Sequence, residues 1–343
     1  MRTIATPVLS NEKVVQRMTT SVHEKAAVQY GAFYSSVLGG ITTNPAFMCI
    51  PMDDHMVHRG HGVFDTALIT DGHLYQLPEH LSRLAASAGA VGLDLPLSVE
   101  AMARIILDTA AASNKVTGIV KFWVSAGPGG FGISSTECDE AHFYVVATSS
   151  GRDIDRLEGW TAITSTIPVK PKPFACVKSN NYLQNVLVQM QAETDGCDVG
   201  LFCDQDGFVA EGPNNNIGII TQDNVLVTPP FDECLPGITL SRLLELIPRE
   251  REISPNDMVV TRVEQRRLHL SEVMAAKEVF LVGSSVRVVP IVSINGTFIE
   301  DGTPGTVTLA MDYMIANDMQ VEGSDQHIQI PYGYATGMRS QLR

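Results

Sequence analysis

From residue 63 onward, apolar and polar positions alternate, break at glycines and then repeat at a longer period. Val-Phe-Asp-Thr-Ala-Leu-Ile-Thr and His-Leu-Tyr-Gln-Leu flank Asp71-Gly72, a pair suited to the positive-φ positions of a type I′ turn, which predicts a hairpin. Pro78 then opens a helix with Leu81, Leu84, Ala85 and Ala88 at helical spacing. A second helix is predicted near residues 98 to 113, followed by the strands GIVKFWVSA and HFYVVAT, which the glycine-rich GPGGFGISS separates. Residues 149 to 159 are polar and aperiodic, as an interdomain linker would be. Beyond them the chain is β-rich. GLFCD and FVAEG flank one turn and NIGIIT and VLVTPP another, before Leu240, Leu243, Leu244 and Ile247 form a helical stripe in LPGITLSRLLELI.

These patterns imply a mixed α/β (α+β) protein. The expected parts are an N-terminal extension over 1–35, a small α/β domain over 36–150, a linker over 151–160, a larger β-rich domain over 161–320 and a tail over 321–343. In the extension, Val14, Val15, Met18 and Val22 suggest a modest amphipathic helix wrapped on the body, whereas the tail carries no readable pattern. A cleft between two such domains is where a small ligand is expected.

Composition narrows the partners. At 343 residues, 44% of them hydrophobic and 18% charged, the chain can build two proper cores. A formal charge of −14, with no cluster of Lys and Arg, argues against a nucleic-acid binder, so an anionic ligand would have to be caught by a local pocket. No apolar run approaches the roughly 18 residues of a membrane span. The N-terminus lacks an apolar signal core, and Glu12 and Glu24 weaken a transit-peptide reading. Cys49, Cys138, Cys176, Cys197, Cys203 and Cys234 form no CxxC pair and read as reduced, packing thiols, which favours a cytoplasmic or an organellar compartment.

Several short stretches could carry chemistry. DDHMVHRGHGVFDT places His55, His58 and His61 three apart behind two aspartates, a spacing that would suit zinc or iron on one helical face. Gly60 and Gly62 oppose that helix at about 1 kcal/mol each, so a loop of polar anchors before a strand is the simpler reading. Lys178 in PFACVKSNNYL stands at the head of a predicted helix, where the dipole disfavours a cation. As an ordinary amine it would be protonated and inert at neutral pH, and it becomes a nucleophile only if desolvated or tied up as a Schiff base. Glu211 ends the apolar run of DGFVAEG and needs a cationic or N–H partner if buried. LPGITLS over 235 to 241 sets a turn before a helix, a ready anion site. The dipole alone supplies about 0.3–1 kcal/mol against about 1.5–3 for a charged hydrogen bond, so a basic partner is expected. Gly283, Ser284 and Ser285 could add donors to the same anion. GPGGFG lacks the GxxxxGK[ST] ending of a phosphate loop and reads as a mobile loop near a pocket. Each stretch alone also fits a structural role: a snorkelling lysine, a strand-end carboxylate, a helix cap, a turn.

Taken in order, the histidine-rich loop with GVFDT, then EHLSRL, KSNNYLQN, DGFVAEGPNNN, LPGITLSRLLEL and VGSSVRVVP resemble the fold-type IV pyridoxal-phosphate aminotransferases over about residues 50 to 315. That family holds branched-chain and D-amino-acid transaminases, (R)-amine transaminases and aminodeoxychorismate lyase. The wording of VHRGHGVFDTALI and SAGPG is most similar to the plant D-amino-acid transaminases. The resemblance implies a small α/β domain and a larger pseudo-barrel domain that binds pyridoxal 5'-phosphate. It implies Lys178 as the Schiff-base lysine and proton shuttle, and Glu211 as an ionised carboxylate facing the pyridine nitrogen. Arg83 becomes the phosphate cation, joined by Gly237, Ile238, Thr239 and Ser284. Leu235 packs on the ring, Tyr182 bonds its phenolic oxygen, and Asn215 lies beside the cofactor.

For the substrate, Arg59, Phe64, Lys121 and Ser285 are implied. Bacterial D-amino-acid transaminases use an Arg-x-His pair in the loop where this chain has GPGGFGISS, with neither residue, so Lys121 and Arg59 are the candidate cations for the substrate carboxylate. The implied reaction is ping-pong transamination between a D-amino acid or (R)-amine and a 2-oxo acid, in a homodimer, with no metal. The alternatives within the family are a branched-chain L-amino-acid aminotransferase and aminodeoxychorismate lyase. From other classes, a metal hydrolase would use His55, His58 and His61, and an inactive scaffold would bind partners without a cofactor.

Overall fold

Asp71 and Gly72 do adopt positive φ, 45° and 74°, and the strands Gly62–Thr70 and His73–Tyr75 pair antiparallel around them. The computed structural model describes residues 6–22, 29–149, 154–253 and 260–333, apart from the side chains of 251–253. The hairpin nucleates a seven-stranded antiparallel sheet. Its order is His327–Gln329, His73–Tyr75, Gly62–Thr70, Gly118–Ser125, His142–Thr148, Tyr30–Ser35 and Gly40–Thr42. Leu77–Ala90, with Pro78 in its first turn, and Val99–Ser113, capped by the Ser98 hydroxyl, lay Leu81, Leu84, Met102 and Ile106 against Ala67, Phe122 and Phe143 of the sheet.

Two expectations about the ends of the chain change. Tyr30–Ser35, placed in the N-terminal extension by the sequence, is an inner strand of this sheet, with Ala32 and Phe33 buried. Within the tail expected over 321–343, His327–Gln329 returns as an edge strand beside His73–Tyr75, and Ile330 joins the first core. Both strands are short; Tyr30–Ser35 pairs locally with Gly40–Thr42 but owes its inner place to the distant His142–Thr148, and His327–Gln329 pairs far back along the chain, so local periodicity does not reveal them. The N-terminal helix forms over Asn11–Thr20 with none of its residues fully buried, and it rests against the turn Pro45–Phe47. The rest of the extension, residues 1–5 and 23–28, falls outside the described residues, as do 150–153 of the linker and 334–343 of the tail.

The second half builds a ten-stranded mixed sheet. Six of its strands, Asn216–Ile220, Glu278–Gly283, Arg287–Ile294, Trp160–Ser165, Val199–Cys203 and Phe208–Glu211, follow one another in the ladder. Pairing of Asn216 with Glu211 then closes them into a ring. Successive side chains on a strand point to opposite faces. Ile217, Ile219, Val279 and Leu281 therefore fill the inside, while Ile220, Phe280 and Val282 pack outward against the helices Ile238–Ile253 and Thr306–Asp318. This is the barrel-like half that the resemblance implies. Among the described residues, no helix is long and apolar enough to cross a membrane.

Candidate active site

A cavity of about 620 Å³ opens between the antiparallel sheet and the barrel, within the size range of small-molecule sites. The Leu235-Pro236-Gly237 turn is its fixed point, because three side chains from different parts of the chain hold it. Glu211 Oε2 accepts from the Leu235 N–H at 3.1 Å, Asn216 Nδ2 donates to the Leu235 carbonyl at 2.8 Å, and Arg83 Nη1 donates to the Pro236 carbonyl at 2.9 Å. A Cβ on Gly237 would lie 1.8 Å from Asn216 Oδ1, so only glycine fits there. The ring closure at Glu211 and Asn216 is thus also what sets the turn before the helix Ile238–Ile253.

At this end the cavity is built for an anion. Gly237, Ile238 and Thr239 line it at the start of that helix, where free N–H groups gather. Thr239 Oγ1 is 3.4 Å from Ser284 Oγ, and Ser285 lines the wall beside it. Arg83 supplies the basic partner, but not as a free charge. Its Nε and Nη2 donate to the two oxygens of Asp65, each at 2.8 Å, and His80 Nδ1 lies 2.7 Å from the same carboxylate. Three of the five guanidinium N–H groups are engaged, leaving two for the cavity. Burial opposes charge on the fully buried Asp65, yet Arg83 and His80 together hold it well below the usual carboxylate range. Burial in turn pushes His80 down.

The opposite end holds the reactive groups. Lys178 enters on a segment stitched to the first sheet, its carbonyl accepting from Phe64 N–H at 2.9 Å and its N–H donating to Ser87 Oγ at 3.2 Å. Its Nζ lies 3.2 Å from Tyr182 Oη and 4.8 Å from the centroid of the Phe64 ring. Burial, reinforced by Arg83, lowers the Lys178 pKa to about 8, which leaves a substantial neutral fraction near physiological pH. Burial also raises the Tyr182 phenol, and it pushes the Glu211 carboxyl up to about 7, against the pull of Lys170, the Leu235 N–H and Lys178. The resemblance implies a Glu211 that is ionised beside a bound ring nitrogen; the closed barrel seam, by removing its water, works against that charge. Leu235 and Asn215 line the same wall, and Asn215 Nδ2 is buried with no partner among the described residues.

These fits match pyridoxal phosphate in kind: a desolvated amine for an aldehyde, a buried carboxylate for a ring nitrogen, and a helix start with a braced arginine for a phosphate. All the cofactor residues named from the sequence, together with Phe64, Lys121 and Ser285, line this one cavity. Arg59 does not. Its Nε and Nη2 donate to the carbonyls of Gly132 and Phe131 at 3.0 and 2.5 Å, so it clamps the glycine-rich loop instead of facing substrate. The reason is local. His55–Arg59 is a one-turn helix that Asp54 caps and Gly60 ends at φ 67°, which aims Arg59 at that loop.

The histidines sit behind it. His55 Nδ1 and His61 Nδ1 are 3.2 Å apart, and His61 Nε2 lies 3.0 Å from the Val91 carbonyl. Lys121, on Gly118–Ser125 opposite Thr66, reaches the cavity wall. Asn185 and Lys170 are among the lining residues that no sequence motif marks as functional. Asn185 donates through Nδ2 to the Pro213 carbonyl from inside a helix that read as plain. Lys170, in the aperiodic IPVKPKPF, carried only one signal, a cation between prolines ahead of an apolar segment.

Comparison with known proteins agrees with this geometry. The description Amino-transferase class IV matches residues 62–294. A chloroplastic D-amino-acid transaminase of Arabidopsis thaliana is 39% identical over 327 residues, 95% of this chain and 86% of that one. A putative branched-chain-amino-acid aminotransferase of Methanocaldococcus jannaschii is 31% identical over 258 residues, 74% of this chain and 86% of that one. Among solved structures, the branched-chain amino acid aminotransferase of Thermobaculum terrenum in its PLP-bound holo-form superposes at a TM-score of 0.74 and 19% identity, covering 88% of this chain and 98% of its own. With a barrel-closing carboxylate, a desolvated lysine and a braced arginine around one cavity, the chain belongs to the class IV aminotransferases, a pyridoxal-phosphate-dependent family.

Proposed function

We propose that this aminotransferase exchanges an amino group between a D-amino acid, or a related (R)-configured amine, and a 2-oxo acid, in two half-reactions of ping-pong order. The observation that carries the chemistry is Lys178, whose buried amine, with a pKa of about 8, shares one cavity with Glu211 and Tyr182. When bound, pyridoxal phosphate supplies an aldehyde that takes up the amino group and a ring that accepts the electrons of the Cα–H bond. Lys178 Nζ would hold that aldehyde, then take a proton from the substrate carbon and return it to a neighbouring one, a task suited to an amine that titrates close to neutral pH. Glu211 would hold a positive charge at the ring nitrogen, which in turn draws the carboxylate back to its ionised form. Tyr182 would orient the phenolic oxygen and Leu235 would pack on the ring. Arg83, Ser284 and the amides of Gly237, Ile238 and Thr239 would hold the phosphate. Lys121 stands where a substrate carboxylate can reach it.

The D-specific reading is supported by the 39% relative, which matches 95% of this chain. A branched-chain L-specific reading is favoured by the 31% relative. D- and L-alanine, glutamate and leucine, each assayed with 2-oxoglutarate, separate the two. Turnover of the D-enantiomers is expected, and turnover confined to L-leucine would reject the proposal. We also propose a homodimer. It is supported by the exposed apolar stripe Leu183, Val186, Leu187 and Met190 on Leu183–Thr194, part of which edges the cavity. Light scattering at twice the chain mass is the expected result. The partners remain small molecules, and the reduced cysteines fit a cytoplasmic or organellar setting.

A further inference from the structure

Between the strand Trp160–Ser165 and the turn Phe174–Cys176, two lysines stand two residues apart among prolines, and their side chains diverge. Lys172 Nζ reaches the exposed Asp232 at 2.8 Å. Lys170 instead lines the cavity, its Nζ 4.7 Å from the centroid of the Tyr182 ring. Burial of the half-buried Lys170 lowers its pKa, Lys178 adds to the fall, and the anion whose charge opposes it is Glu211. Among the described residues the Glu211 carboxylate accepts one hydrogen bond, from the Leu235 N–H.

The titratable groups around Glu211 are Lys170, Lys178, Tyr182, Cys176 and Cys234. Tyr182 and the two thiols are pushed up by burial and stay neutral at physiological pH. Lys178 is the amine that engages the cofactor, so its positive charge is not a constant counter-ion. Arg83, farther along the cavity, is already matched by Asp65. Among the described residues, Lys170 is the remaining cation whose charge acts on the carboxylate. We propose that Lys170 is a positioning residue of this site: its ammonium, beside the Tyr182 ring in the cavity that holds Glu211, is the protein's own counter-ion to the Glu211 carboxylate, favouring its charged form against burial and turning it toward the cofactor's ring. This rests on the proposed role of Glu211 as the ring-nitrogen partner.

The test follows Glu211 directly, in the full chain carrying 13Cδ-labelled glutamate, with the Glu211→Gln spectrum assigning the signal. Lys170→Met is expected to raise the titration midpoint of Glu211 by about 1–3 pH units, the effect of removing a close opposite charge. Lys170→Arg should restore it. In the loaded enzyme, Lys170→Met should move the pH dependence of the visible band in the same direction. An unchanged Glu211 midpoint in folded Lys170→Met, judged by circular dichroism, overturns the proposal. So does a variant that leaves the midpoint alone and raises only the amino-acid KM, because Lys170 would then serve the substrate carboxylate. If Lys170→Met does not fold, Lys170→Gln gives the same reading. Wild-type cofactor affinity and turnover in Glu211→Gln would instead reject the role of Glu211, whatever Lys170 does to its titration.

Discussion

The two ends of the cavity treat charge in opposite ways. At the anion end every ionised group is matched before a ligand arrives: Asp65 takes two bonds from Arg83 and a third from His80, and Arg83 adds the Pro236 carbonyl. At the reactive end, Lys178 Nζ and the Glu211 carboxylate each have one hydrogen bond among the described residues, and burial displaces both groups toward neutrality. The first arrangement fixes geometry. The second leaves charges and hydrogen-bonding capacity for a ligand to engage, so that binding can be turned toward reaction.

The contrast predicts unequal sensitivities. The largest effect is expected at Lys178. Lys178→Ala should abolish transamination and the visible band that borohydride removes from the wild-type protein, while the fold, read by circular dichroism, stays intact. A borohydride-trapped adduct on any other residue, located by mass spectrometry, would refute the assignment.

The matched end should fail differently, through stability. Asp65→Ala leaves Arg83 and His80 buried without their carboxylate, and losing one partner of such a network costs about 3–5 kcal/mol. Urea denaturation of the unloaded chain measures it, and cofactor affinity should drop as well because Arg83 is no longer braced. A stability loss below about 1 kcal/mol would show that the network is not structural.

How much of this the sequence revealed divides along the same line. The anion end is written in local signals: a proline-started helix carrying Arg83, a small-residue turn ahead of Thr239, a serine pair at 284 and 285. Each signal is a property of a few consecutive residues. Lys178 and Glu211 also stood out, as charges beside apolar runs. What escaped depends on contacts distant in sequence. The strand His327–Gln329 has its partner more than a hundred residues away, and Tyr30–Ser35, beside its local partner Gly40–Thr42, gains its inner position from one equally distant. Arg59 was misassigned because Gly60 ends its helix after one turn and directs the guanidinium at a loop over 70 residues on. Lys170 lies in a segment without period, and only the fold shows which of two neighbouring lysines turns inward.

The reactive end should show its unmatched charges as a pH signature. Glu211 has its folded pKa raised to about 7, so the folded chain holds a proton that the unfolded chain has lost between about pH 4.5 and 7. Stability of the unloaded chain therefore falls as pH rises through that window. For Lys178, lowered to about 8, the sign reverses. The unfolded chain holds the extra proton between about 8 and an ordinary lysine value of about 10.4, so stability recovers as pH rises there. Thermal melts should show a trough near pH 7–8. Glu211→Gln should remove the acidic flank of that trough. A flat profile in the wild-type chain would show that the carboxylate is better solvated than its burial implies.

The smallest effect separates the two cations once paired as substrate ligands. Lys121 lines the cavity, while Arg59 spends its guanidinium on the Phe131 and Gly132 carbonyls. If Lys121 meets the substrate carboxylate, Lys121→Ala removes one charged hydrogen bond, worth about 1.5–3 kcal/mol, and should raise the amino-acid KM at least about tenfold. The KM of an (R)-amine lacking a carboxylate should hardly change. Arg59→Ala should instead loosen the glycine-rich loop and affect both donors alike, by a few-fold. Equal effects of Lys121→Ala on the two donors would leave the carboxylate to another group. A selective effect of Arg59→Ala would mean that the loop swings far enough in the working enzyme to release Arg59 into the cavity, and the division between a rigid anion end and an adaptable reactive end would then have to be drawn at that loop instead of at the Leu235-Pro236-Gly237 turn.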